Sequence, residues 1–234
     1  MTPLRPLVNF FLRVSVLAAF VTGAQGQSVC ASDGQPRPTL LLERFINADC
    51  ADCWTSPQTP TAGPRTVALD WVVPGSRGDE APLAAVANRD SVARLQALKP
   101  AEPVVASWSH SALVGPQTPG LRVAHGLPVG GYVGTSIELK PMPRAASGAT
   151  WTGWLALVEQ LPEGAEGSPV QRNLVRNLLQ LRWRGEPKLP RFFETRVMNL
   201  PQGMDPVRHK NLSLVGWVED AEGRVVTAGQ TRCK

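Results

Sequence analysis

Past Val21 the sequence holds no apolar run long enough to cross a bilayer as a helix. Histidine is scarce: His110, His125 and His209 lie far apart and in no ligand spacing, so neither a metal site nor a cofactor is expected. No G-x-S-x-G occurs, which removes the common serine-hydrolase signature. Basic residues exceed acidic ones, 24 to 19, for a net charge of +5. They are scattered, apart from Arg182, Arg184, Lys188 and Arg191, and no basic stripe carries interleaved aromatics. A nucleic-acid partner is therefore not expected. No tandem repeat is visible.

What is present begins with the N-terminus. Met1 to Arg13 carries Arg5 and Arg13 and no acid, Val14 to Val21 is a short apolar core, and Ala24-Gln25-Gly26 supplies small residues. Residues 1–26 read as a secretory signal peptide. The mature chain is expected to be secreted, into a bacterial periplasm, with no integral membrane span after cleavage. Val29 precedes Cys30, where lipidation calls for a small residue.

Four cysteines follow: Cys30, Cys50, Cys53 and Cys233. An even count in an oxidising compartment favours two disulfides. Three pairings are possible. Cys50 and Cys53 are close enough to join each other, which leaves Cys30 with Cys233 as a structural bridge between the two ends. Chain entropy allows that long loop at most about 5 kcal/mol.

Cys50 and Cys53 form a C-x-x-C directly after the apolar run Leu40 to Ile46. A strand running into C-x-x-C is how thioredoxin-like redox domains begin. Thr66 to Val73 reads as a second strand, buried on both faces, and Asp79 to Leu98 as a helix capped by Asp79. A third strand is placed at Val104 to Ala106. The later sequence has short-spaced turns and β-prone stretches at 131–139, 149–161, 170–183, 192–200, 211–219 and 224–230. Residues 170–183 also fit a helix. Trp151, Trp154, Trp183 and Trp217 fall in these segments and read as core.

Five stretches together resemble a bacterial secreted family known as domain of unknown function 1223. Leu42 to Cys53 is similar to its strand and cysteine pair, Thr66 to Trp71 to a buried strand, and Thr118 to Gly126 to its Thr-Pro stretch. Gln171 to Arg176 is similar to another strand, with Gly216 to Ala228 as its C-terminal hairpin. The resemblance implies a truncated thioredoxin-like α/β half at 27–130, packed against an antiparallel β-sheet or sandwich half at 131–234. It also implies that Pro119 is a cis-proline facing the C-x-x-C. The family's helix after the second cysteine is replaced here by a loop with Pro57, Pro60 and Pro64.

A redox C-x-x-C needs a thiolate, made by a helix N-terminus and nearby positive charge. Here prolines shorten the helix, and Asp49 and Asp52 flank Cys50 with like charge. The residues therefore favour a structural or weakly redox-active disulfide. The alternatives are a periplasmic thiol–disulfide oxidoreductase with a polypeptide thiol or disulfide partner, or a non-enzymatic envelope-binding module.

Overall fold

The computed structural model describes residues 30–115, 120–140, 149–185, 191–201 and 210–233. The expected signal peptide, Pro119 and His209 lie outside these residues. Apolar runs punctuated by turns give twelve strands along the described chain. The first four are β1 (Cys30–Ala31), β2 (Leu40–Asn47), β3 (Thr66–Val73) and β4 (Ser107–Leu113). Then come β5 (Gly120–His125), β6 (Tyr132–Lys140), β7 (Thr150–Leu161) and β8 (Arg172–Arg184). The last four are β9 (Phe192–Asn199), β10 (Leu212–Glu219), β11 (Val225–Gln230) and β12 (Arg232–Cys233). Two α-helices interrupt them, α1 (Ala51–Trp54) after β2 and α2 (Arg89–Leu98) before β4.

The strands form two sheets. One runs β12-β1-β5-β6-β9 and is antiparallel throughout. The other runs β11-β10-β7-β8-β3-β2-β4. In it β2 and β3 are parallel neighbours, β3 meets β8 in parallel at Asp70 and Leu174, and the remaining pairs are antiparallel.

Alternation along each strand sends side chains to two faces. One face of the seven-stranded sheet carries Leu41, Phe45, Leu69, Trp71, Trp154 and Trp217, against which Leu95 and Leu98 of α2 pack. The opposite face carries two clusters. Leu155, Leu157, Leu214 and Val218 meet Val123, Val133, Ile137 and Met198 of the five-stranded sheet. Farther along, Ile46, Val72 and Leu174 pack with Trp54 of α1.

The thioredoxin-like α/β half is not what forms. The described chain is mostly β, and its two α-helices span four and ten residues. The strands before and after residue 130 do not make separate layers either. β3 hydrogen-bonds to β8, and β5 to β6. The local C-x-x-C signal could not reveal this, because fold is decided by which distant strands pair.

Two smaller expectations also change. Asp79 to Leu98 is not one helix: two short 3₁₀ turns, Gly78–Glu80 and Ala84–Val86, precede α2. Pro82 interrupts the run, and Asn88 starts α2 by accepting the Asp90 backbone N–H at 2.8 Å. The strand expected at Val104 to Ala106 lies instead at β4; 170–183, read as a strand with a helix as the alternative, does form the strand β8. β5 was not foreseen.

Candidate functional site

β2 delivers the cysteine pair to its C-terminal end. The Cys50 N–H donates to the Asn47 carbonyl at 3.0 Å, and the Cys53 N–H to the Cys50 carbonyl at 3.3 Å. Cys50 and Cys53 are joined in a disulfide with Cα atoms 5.4 Å apart. Cys50 sits at the N-cap of α1 and contributes no side-chain cap. α1 then ends at Trp54, because Ser56 precedes Pro57 and such a residue is driven out of the helical region. Four residues align few peptide dipoles, so little positive potential falls on Cys50.

Trp54 is buried, and its ring lies 4.4 Å beneath the Arg172 guanidinium. Arg172 donates to the Trp54 carbonyl at 2.6 Å and to Asp70 Oδ1 at 2.9 Å. Arg44 donates to the other carboxylate oxygen at 2.7 Å, and the Asn173 N–H adds a third bond at 2.8 Å. Arg44, Asp70 and Arg172 are all at most 2 % exposed. Burial pushes the Arg172 guanidinium below its ordinary value; Asp70 opposes that shift and Arg44 adds to it. The cluster carries one net positive charge and borders a cavity of about 200 Å³ that Cys53, Thr59, Trp108 and Ser109 also line.

The two acids expected to oppose a Cys50 thiolate behave differently. Asp49 accepts from the Ser76 hydroxyl and N–H, both at 2.8 Å, and from the Arg77 N–H at 3.3 Å. The Ser76 hydroxyl, with these backbone donors and the Arg77 charge, holds Asp49 below the usual carboxylate range despite desolvation. Its negative charge is thus committed to the turn after β3. Gly75 permits that approach, since a Cβ there would lie 2.2 Å from Asp49 Oδ1. Asp52 is exposed.

Cys30 and Cys233 form the second disulfide, 203 residues apart in sequence. They stand opposite each other on β1 and β12, and His125 of β5 stands opposite Cys30 on its other side. His125 is 4 % exposed. Burial pushes its imidazole below the ordinary value of 6.5, against a bond to the Gly126 carbonyl. His110 stacks on Trp108 of β4. Trp151, Trp154, Trp183 and Trp217 are all buried.

Sequence reasoning missed the Arg44, Asp70 and Arg172 cluster and also a second buried ionic one. Arg94 of α2 donates to both oxygens of Glu43 at 2.7 to 3.2 Å and pairs with Glu219 at 2.8 Å. Its guanidinium lies 5.0 and 5.1 Å from the Trp154 and Trp217 rings. Both indoles donate to Glu219, at 2.9 and 3.1 Å. Glu43 and Glu219, with the hydrogen bonds they accept, raise the Arg94 pKa despite desolvation. A signal existed: Glu43, Arg44 and Asp70 interrupt otherwise apolar strands, and buried charges need partners.

A larger cleft of about 480 Å³ opens beside β3, β8, the segment from Gln35 to Pro38 and the residues Gln230 to Arg232. Gln160, Gln171, Asn173, Gln230 and Arg65 line it, and Asn173 Oδ1 is buried without a partner among the described residues.

No family model matches the chain, and no curated protein does. The expected membership of domain of unknown function 1223 is therefore not established. Among solved structures, the chain is similar to HBP35 of Porphyromonas gingivalis at 10% sequence identity, with a TM-score of 0.47. That match covers 83% of this chain and 74% of the other.

Proposed function

We propose that this is an extracytoplasmic binding module whose two disulfides are structural. The observation that carries the reading is the four-residue length of α1. It leaves the Cys50–Cys53 pair without the helix that lowers a thiol's pKa and destabilises the oxidised form. The disulfide instead closes the turn that seats Trp54 under Arg172. Two disulfides support a compartment outside the cytosol. The amide-lined cleft supports binding of a polar ligand such as a polypeptide, because its side chains offer both donors and acceptors.

The test is redox equilibration of the full chain with glutathione and stronger thiols, followed by an insulin-reduction assay. The Cys50–Cys53 potential is expected below about −300 mV, with no acceleration of insulin reduction. A potential near that of protein disulfide isomerase, about −180 mV, together with catalysis, overturns the reading.

A second reading, thiol–disulfide exchange, draws on one observation. Cys53 borders the cavity that Arg44 and Arg172 charge positively, and positive charge favours a thiolate. In that case Cys53, rather than Cys50, is alkylated first by iodoacetamide in the reduced protein, with a half-maximal rate near or below about pH 7.

A further inference from the structure

The antiparallel sheet assembles three potential ligands that the sequence keeps far apart. Register places Cys233, Cys30 and His125 side by side on three consecutive strands, β12, β1 and β5. Residues directly opposite each other share a face of the sheet. Val123, two positions before His125 and so on the same face, belongs to the core between the sheets. The two sulfurs and a ring nitrogen of His125 all lie within 4.8 Å of one another.

The imidazole is arranged as a metal-binding histidine is. Nδ1 lies 2.9 Å from the Gly126 carbonyl. A carbonyl only accepts, so Nδ1 carries the proton and Nε2 presents its lone pair. Nε2 is buried and has no hydrogen-bond partner among the described residues. Nothing in the disulfide can satisfy it well, since a bonded sulfur has no proton to give. An N–H to carbonyl bond behind the ligating nitrogen is the arrangement that fixes tautomer and ring orientation at metal sites.

We infer that Cys30, Cys233 and His125 form a zinc site in the reduced chain, with the fourth position open to water. Two thiolates and a neutral imidazole around Zn²⁺ give zero net charge, which suits the buried side of the row. Three protein ligands and one open position form a recognised zinc arrangement. Cys233 is exposed, so reductant and metal reach the site from the β12 edge. Disulfide and metal exclude each other. A phosphine reductant breaks the Cys30–Cys233 bond: it supplies two electrons, water supplies the two thiol protons, and phosphine oxide leaves. Zinc then forms two S–Zn bonds as both thiol protons pass to solvent.

The experiment uses the full chain carrying Cys50→Ser and Cys53→Ser, so that Cys30 and Cys233 are the remaining cysteines. It is reduced with phosphine, desalted without oxygen and titrated with zinc against a chromophoric chelator, then with cobalt. The expected result is one tightly held metal per chain, sulfur-to-cobalt charge-transfer absorption, and a higher melting temperature with zinc. The oxidised form should retain none. His125→Gln should weaken zinc binding by more than about tenfold, the lower bound seen when only the partner of a ligating histidine is lost. Cys233→Ser, at an exposed position of the last strand, should do the same and abolish half of the charge-transfer intensity. Failure of the reduced chain to hold zinc overturns the proposal. So does equal affinity in the His125→Gln and parent chains, which would leave the metal on two thiolates alone.

Discussion

Glu43 and Arg44 are neighbours on β2, yet they found two different buried ionic clusters on opposite faces of one sheet. On the α2 face, Arg94 lies between Glu43 and Glu219 and leaves one net negative charge. On the other face, Asp70 lies between Arg44 and Arg172 and leaves one net positive charge. Each excess is met by polar groups of the opposite sense. Two indole N–H groups donate to Glu219. The arginines donate to the carbonyls of Pro60, Gln171 and Trp54. The two clusters teach that burying a charge here depends on hydrogen bonds to neutral groups as much as on a counterion.

The clusters differ in how they can fail. A guanidinium does not deprotonate in a protein, whereas a carboxylate can take up a proton. Asp70→Asn should therefore have the largest effect. It leaves two buried guanidiniums facing a neutral amide, at a cost of about 3 to 5 kcal/mol. Urea denaturation should find that loss nearly constant between about pH 5 and pH 8, because neither arginine can relieve it. A loss under about 1 kcal/mol would mean that the carbonyls alone hold the arginines.

Arg94→Met should come next, on the order of 3 kcal/mol at neutral pH. Here Glu43 and Glu219 are left without their cation, and the folded variant can bind protons that its unfolded chain releases. More protons bound in the folded state means that stability falls as pH rises. The destabilisation relative to the parent should therefore shrink as pH is lowered toward about 5. A cost independent of pH would remove the contrast between the two faces.

Parts of this arrangement were legible beforehand. The strands of the second half announced themselves through apolar stretches separated by turns such as Pro162-Glu163-Gly164, and the even cysteine count pointed to the two disulfides that form. The fold class was not legible. A strand before C-x-x-C is a local signal, but the sheet is set by remote pairings such as Asp70 with Leu174. The same physics hid His125, which reaches Cys30 only through the pairing of β1 with β5. Helix length was misjudged because periodicity over 79–98 outweighed the local instructions of Pro82 and Asn88. Glu43, Arg44 and Asp70 are charges inside apolar strands, a signal the sequence reading passed over, and their partners Arg94, Glu219 and Arg172 come from distant elements.

The smallest expected effect separates the two ways a tryptophan serves these clusters. Trp217 both faces Arg94 and donates to Glu219, at 3.1 Å. Trp54 faces Arg172, but its Nε1 has no partner among the described residues. Phenylalanine keeps an aromatic face for the cation and removes the N–H. Trp217→Phe should cost about 1.5 to 3 kcal/mol, the usual value of a hydrogen bond to a charged group. Trp54→Phe loses ring area, but it also removes a buried donor that was unsatisfied, and the two changes offset each other. Its cost should stay below about 1 kcal/mol. Parallel urea titrations of the two variants decide the matter. Equal losses would show that the indole N–H contributes nothing to holding the excess negative charge, and that ring contact alone is common to both faces.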